Sequence, residues 1–286
     1  MWSQDVSRKI EVKIENDKLF LLDRYYTNGL FVSYKKNLKK SFLFKHNPAS
    51  KLQLSVSLGN ETYTPKNHSS FNTSDFDRPF AGWLFGAVEL GQIKRNTALF
   101  LRFETGVTGK ESLSGKLQTI FHDFFKIDNP KWVEEIAYKW LFNIKLRYYQ
   151  HWELNKYNAL LYEIHPSLGT KDFFFENSLY YYFGRFNDLR SSSRLGVIDE
   201  TKTNEFYGSI GLGYKYVAHN TLLQGSIFKK DVLFTTSPMR HILKLKIEGV
   251  YKFNTTTFKL SANFNSKETK ESISHAYGSI IYSKDF

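Results

Sequence analysis

Three groups of residues in this sequence carry side chains able to do chemistry. Glu15-Asn16-Asp17 closes an alternating run, and Tyr26-Thr27-Asn28-Gly29 opens the next one about ten residues on. If the two runs pair as hairpin neighbours, an acid, an amide and a hydroxyl face each other across them. The same Asn-Asp run is a strong turn signal, and that reading stands beside the first. His122 lies in a stretch without alternation, beside Asp123 and Asp128. Imidazole is the usual general base near neutral pH. A solvent-exposed helix histidine would leave the same mark. A third group, Gly59-Asn60-Glu61-Thr62-Tyr63-Thr64-Pro65 and Asp77-Arg78-Pro79-Phe80-Ala81-Gly82-Trp83, reads alone as loop chemistry with an Asp–Arg pair. There is no GxSxG elbow, P-loop or HExxH motif. With no Cys, disulfides, Cys-ligated zinc, iron–sulfur clusters and a thiol nucleophile are excluded.

The elements that must position these residues are strands. Ile10, Val12 and Ile14 alternate with Lys9, Glu11, Lys13 and Glu15, and Leu52, Leu54, Val56 and Leu58 alternate with Gln53, Ser55, Ser57 and Gly59. The same period of two recurs near 99–104, 138–147, 206–216, 243–248 and 258–264. About twelve or thirteen such runs are present, each near the ~10 residues of a tilted membrane strand. Twelve is the expected number, because a barrel with both termini on one side needs an even count. The runs near 158–169 and 173–183 are the ones whose division is ambiguous. Residues 111–127 break the rule: Leu117, Ile120, Phe121 and Phe124 sit at helical spacing, and Asn129-Pro130 stops the helix. By parity Asp17 continues Glu15 and Thr27 continues Gly29, so both are expected on the polar, lumenal face.

A two-sheet sandwich would also show period two. Composition favours the barrel. Aromatics are 17% of the 286 residues, and they cluster at run ends such as Tyr25-Tyr26, Phe173-Phe174-Phe175 and Tyr180-Tyr181-Tyr182, as interfacial girdles do. The terminal Phe286 follows Tyr282 and Ile280 on one parity. Mean hydropathy is low, −0.43, and no apolar run is long enough for a membrane helix. The fold expected is all-β: a single transmembrane antiparallel barrel over residues 1–286. Met1-Trp2-Ser3-Gln4 is not an export leader, so a mature outer-membrane form is expected, with a cytoplasmic protein as the alternative. Forty Lys and Arg against 28 Asp and Glu give +12, which calls for an anionic partner. The basic residues are spread over the strands and form no nucleic-acid motif, so nucleic acid is not expected.

The ordered set Glu15-Asn16-Asp17, Tyr26-Thr27-Asn28-Gly29, Tyr63-Thr64-Pro65, Asp77 to Trp83, then His122 with Pro130 and Trp132, resembles the outer-membrane lipid A 3′-O-deacylase family over roughly residues 10–140. The resemblance implies a twelve-stranded outer-membrane barrel and a calcium-dependent esterase removing the 3′-linked acyloxyacyl chain of lipid A. It places the family's Asn-Asp pair at Asn16 and Asp17, its hydroxyl at Thr27 and its catalytic histidine at His122. Asp128 stands where the family has Glu, one methylene shorter, and Lys66 lies near a family lysine that would meet substrate phosphate. Asp17, Asn16 and Thr27 are oxygen donors suited to Ca²⁺. So sparse a set implies a Kd of ~10⁻⁵–10⁻³ M. The implied partners are lipopolysaccharide and outer-membrane lipids, with the protein a monomer. The alternative is a non-enzymatic outer-membrane barrel, a pore or structural protein with a degenerate site.

Overall fold

The computed structural model describes residues 6–44, 47–228 and 234–286. Met1 to Gln4, on which the reading of the chain start rests, lie outside the described residues. The strands are β1 (Arg8–Asn16), β2 (Tyr25–Leu38), β3 (Lys51–Thr64), β4 (Ala81–Ile93), β5 (Thr97–Val107), β6 (Trp140–Asn155), β7 (Asn158–Gly169), β8 (Asp172–Arg185), β9 (Glu205–Asn220), β10 (His241–Phe253), β11 (Thr256–Asn265) and β12 (His275–Asp285). They form one closed antiparallel meander in which β1 completes the ring against β12, with Val12 opposite Tyr282. The ambiguous runs are separate strands, β7 and β8. The expected helix is α1 (Ser114–Phe125), shorter at both ends than 111–127: a 3-10 turn, Gly109–Ser112, precedes it, and Lys126, at φ 56°, ends it before Asn129-Pro130. A short α2 (Thr221–Gln224) follows β9.

Period two fixes which side chains meet which medium. Ile14, Leu30, Val56, Leu58, Ile210 and Ile280 point outward and are exposed. Their neighbours point into the lumen, where charges are paired: Lys35 with Glu11, Lys145 with Glu104, Arg147 with Glu89, and Lys246 with Glu248. Buried charge is tolerated only when partnered in this way.

The two ends of the barrel differ. Short turns 94–96, 156–157 and 254–255 share one end with the chain termini, where Arg8 N–H donates to Phe286 O. Short turns mark the periplasmic end of such barrels. From that end the long segment 186–204 folds back inside. Leu189, Val197 and Ile198 are fully buried. Wall lysines donate to its backbone carbonyls: Lys9 to Val197 at 2.6 Å, Lys35 to Gly196 at 3.2 Å and Lys51 to Ile198 at 2.8 Å. Lys259 reaches Ser193 O, and Lys252 pairs with Asp199. Above this plug a cavity of about 470 Å³ remains. The opposite end carries the longer loops 65–80, 108–139 and 221–240, and with them α1.

Candidate active site on the outer wall

Asn16 ends β1 and caps the 3-10 turn Asp17–Phe20, its Oδ1 accepting from Lys18 N–H at 2.7 Å. Leu21 closes that turn in the left-handed region, at φ 58°. The chain then returns so that Arg24 N–H donates to Asp17 Oδ2 at 2.8 Å. Thr27 follows in a bulge: Tyr26 opposes Tyr63 and Asn28 opposes Thr62, so Thr27 has no partner on β3. Freed from the ladder, its hydroxyl lies 3.0 Å from Asp17 Oδ1 and 3.1 Å from Asp23 Oδ1.

His122 arrives from α1. The helix is held on the outer surface of the barrel. Asn60 lies on the outward parity of β3, with Val56 and Leu58, and its Nδ2 donates to Ser112 O at 2.7 Å. Ser114 Oγ donates back to Asn60 Oδ1 at 3.1 Å. Gly82, paired with Thr62 on the neighbouring strand, must be glycine, because a Cβ there would collide with the hydroxyls of Ser112 and Ser114. Ser114, Gln118 and His122 form the buried stripe of the helix. Trp132 donates to Gln118 Oε1 at 2.9 Å and packs on Phe80, fixing the loop that leaves α1. The Asp77–Trp83 motif is therefore scaffolding. Asp77 accepts from Tyr25 OH at 2.7 Å, and Arg78 pairs with Glu268 at 2.9 Å.

The two halves meet at Asp23. Its Oδ2 lies 3.1 Å from Lys18 Nζ and 3.6 Å from Nε2 of both His122 and His68. His122 Nδ1 is 2.7 Å from the backbone oxygen of Asp128. A carbonyl can only accept, so Nδ1 carries the hydrogen and Nε2 of the neutral ring is free to take a proton. Asp17 is fully buried. Burial, helped by Asp23, pushes its carboxyl up to about 7, against the hydrogen bond from Arg24 N–H. Burial likewise lowers His68, with Asp23 opposing.

The structure thus brings together Asp17, Thr27 and His122, with Asn16 turned away to cap. It departs from the sequence reading in three respects. Asp17 and Thr27 belong to a cluster on the outward side of the wall, not the lumen. Period two ends at Asn16, where the 3-10 turn starts, and the bulge at Thr27 resets parity in β2. Asp128 meets His122 through its main chain, while its side chain is exposed. Lys66 stands exposed in the loop after β3, its backbone N–H donating to Asp77. Sequence reasoning missed Asp23 and His68. Asp23 sits in the return between Asp17 and Thr27, and His68 follows Lys66 by two residues in a loop where no periodicity applies.

A cation is a reasonable occupant of the oxygen cluster. One Thr27 proton serves two carboxylate oxygens, so one of the two contacts lacks a hydrogen unless a carboxyl is protonated or a cation bridges. Lys18 supplies one positive charge to two acids. Asp17, Asp23 and Thr27 are hard oxygen donors of the type Ca²⁺ takes. Among the described residues, no group of three or more His, Asp or Glu side chains already converges as metal ligands would.

A family model described as "Outer membrane protein LpxR" matches residues 1–286. The solved structure of LpxR from Salmonella typhimurium is similar, with a TM-score of 0.80 and 18% identity over 97% of this chain and 100% of that one. The β domain of the Bordetella autotransporter BrkA is a more distant likeness, with a TM-score of 0.56 and 9% identity over 99% of this chain and 100% of that one. No curated protein matches by sequence. The chain therefore belongs to the LpxR family of outer-membrane proteins, the lipid A 3′-O-deacylase family that its ordered motifs resemble.

Proposed function

We propose that this protein hydrolyses the ester linking the 3′ acyloxyacyl chain to lipid A. The observation that carries this is the placement of His122 Nε2 beside the Asp17–Thr27–Asp23 oxygen cluster, on the barrel surface that faces lipid. A lipid substrate arrives there without leaving its leaflet. A pore, by contrast, needs an open lumen, and segment 186–204 lies across this one.

His122 Nε2 accepts a proton from water as the water oxygen attacks the ester carbonyl carbon. The Asp128 carbonyl holds the Nδ1 hydrogen and so fixes the ring and its tautomer. Asp23 stabilises the imidazolium formed. Nε2 then returns the proton to the sugar oxygen as the carbon–oxygen bond breaks, releasing the fatty acid and the 3′ hydroxyl. Asp17, Asp23 and Thr27 would hold Ca²⁺, which when bound polarises the ester carbonyl and offsets developing negative charge. Exposed Lys66, Lys116, Lys126 and Lys131 around α1 are placed to meet lipid A phosphates. The test is release of the acyloxyacyl chain from purified lipid A by the detergent-solubilised barrel. Release with calcium and none after chelation supports the reading, whereas no release under either condition overturns it.

A further inference from the structure

Helix α1 is amphipathic in the wrong sense for a water-soluble lid. Its polar stripe, Ser114, Gln118 and His122, is buried against the wall. Its apolar residues are outside: Ile120 is 56% exposed and Phe124 79%. At about 100° per residue, Leu117, Ile120, Phe121 and Phe124 occupy one continuous flank of the helix. The charged Lys116 and Asp123 lie on the other flank, and both are exposed. The helix therefore has three faces: polar to the protein, apolar to one side and charged to the other. In water such an apolar flank would be costly.

The apolar flank continues a surface already in lipid. Asn60, which grips Ser112 and Ser114, is two residues along β3 from the exposed Leu58, a rise of roughly 7 Å. The clamp thus seats the helix directly against the lipid-facing belt. Across the site the pattern recurs. Leu19 packs over Gly278 on the outward face of β12, and Leu21 is 93% exposed. Both shoulders of the site are apolar and outward.

We propose that α1 lies within the outer leaflet, its Leu117–Ile120–Phe124 flank immersed in acyl chains and its Lys116–Asp123 flank toward the headgroups. The occupant of this face is lipid hydrocarbon. This rests on the outer-membrane location and not on the catalytic reading.

The chain has no native Cys, so single-cysteine spin labels carry no background. Ile120→Cys, Phe124→Cys and Lys116→Cys, each labelled and reconstituted in phosphatidylcholine vesicles, are compared by collision with oxygen and with a water-soluble nickel chelate. The expected result is preference for oxygen at 120 and 124 and for nickel at 116. Nickel preference at all three overturns the proposal, as does dipolar broadening between labels at 120 or 124, which would make a second copy the occupant. A label at outward Leu58→Cys confirms that the barrel is inserted, so that failed reconstitution cannot mimic either outcome.

Discussion

His122 Nε2 faces Asp23 Oδ2 across 3.6 Å. That is too long for a hydrogen bond, yet at such a distance in a partly buried setting the attraction between imidazolium and carboxylate is on the order of a few kcal/mol. In the proposed reaction Asp23 would act on the charged form of the ring, the form that exists only after the base has taken its proton. Asp23→Asn keeps the shape and removes that charge. It should lower kcat by roughly 10- to 100-fold with a smaller effect on KM, measured by steady-state deacylation in detergent. Unchanged kcat would remove Asp23 from the mechanism.

Asp128 touches the imidazole through its backbone oxygen. Asp128→Ala should therefore retain activity within about threefold, since any L-residue presents the same carbonyl. A loss comparable to that of a His122 substitution would mean that the carboxylate takes part.

These two residues show where sequence reasoning stops. Alternation gave the wall, because burial on one face imposes period two and short turns impose neighbour order. It also marks the helical stretch that carries His122, because that stretch interrupts the period. It fails at Asp17 and Thr27, whose parity points to the lumen. A 3-10 turn and a one-residue bulge each end the parity that the assignment used. Asp23 and His68 sit in returns whose direction depends on Leu21 and Tyr25, both at positive φ. Nothing in residue type announces that geometry. Asn60 and Gly82 read as loop chemistry, and their work as a clamp for α1 depends on contacts across 30 to 54 residues of sequence.

Asp17 lies in the turn beyond β1, and its carboxyl is raised from 3.8 to about 7. A raised acid makes the folded protein hold a proton that the unfolded chain releases, so the metal-free fold loses this contribution as pH rises from about 4 to about 7. A cation must displace the same proton. Calcium affinity should therefore rise with pH, by about tenfold per unit below about 7, and level off above it. Titration calorimetry in buffers of different ionisation enthalpy should show about one proton released per calcium at about pH 5.5 and none at about pH 8. Affinity independent of pH would place the ion elsewhere.

The plug predicts silence in electrical recordings. Lys9, Lys35 and Lys51 pin residues 196–198 inside the barrel through backbone carbonyls. The whole protein should not conduct in planar bilayers. Replacing residues 188–202 with a short Gly-Ser linker should produce steady channels while the barrel still resists cold denaturing gels. Conductance by the unaltered protein would favour the pore reading.

In the proposed reaction His122, on the lipid-facing wall, is the base that cleaves an ester of lipid A. Mass spectrometry of lipid A from cells exporting the folded barrel, with His122 intact or as His122→Ala, tests it most directly. The intact protein should produce lipid A lighter by one acyloxyacyl group, and His122→Ala should leave the parent species, a fall in conversion of roughly 10²- to 10⁴-fold. Identical lipid A profiles from both strains, with the barrel folded and calcium present, would contradict the account.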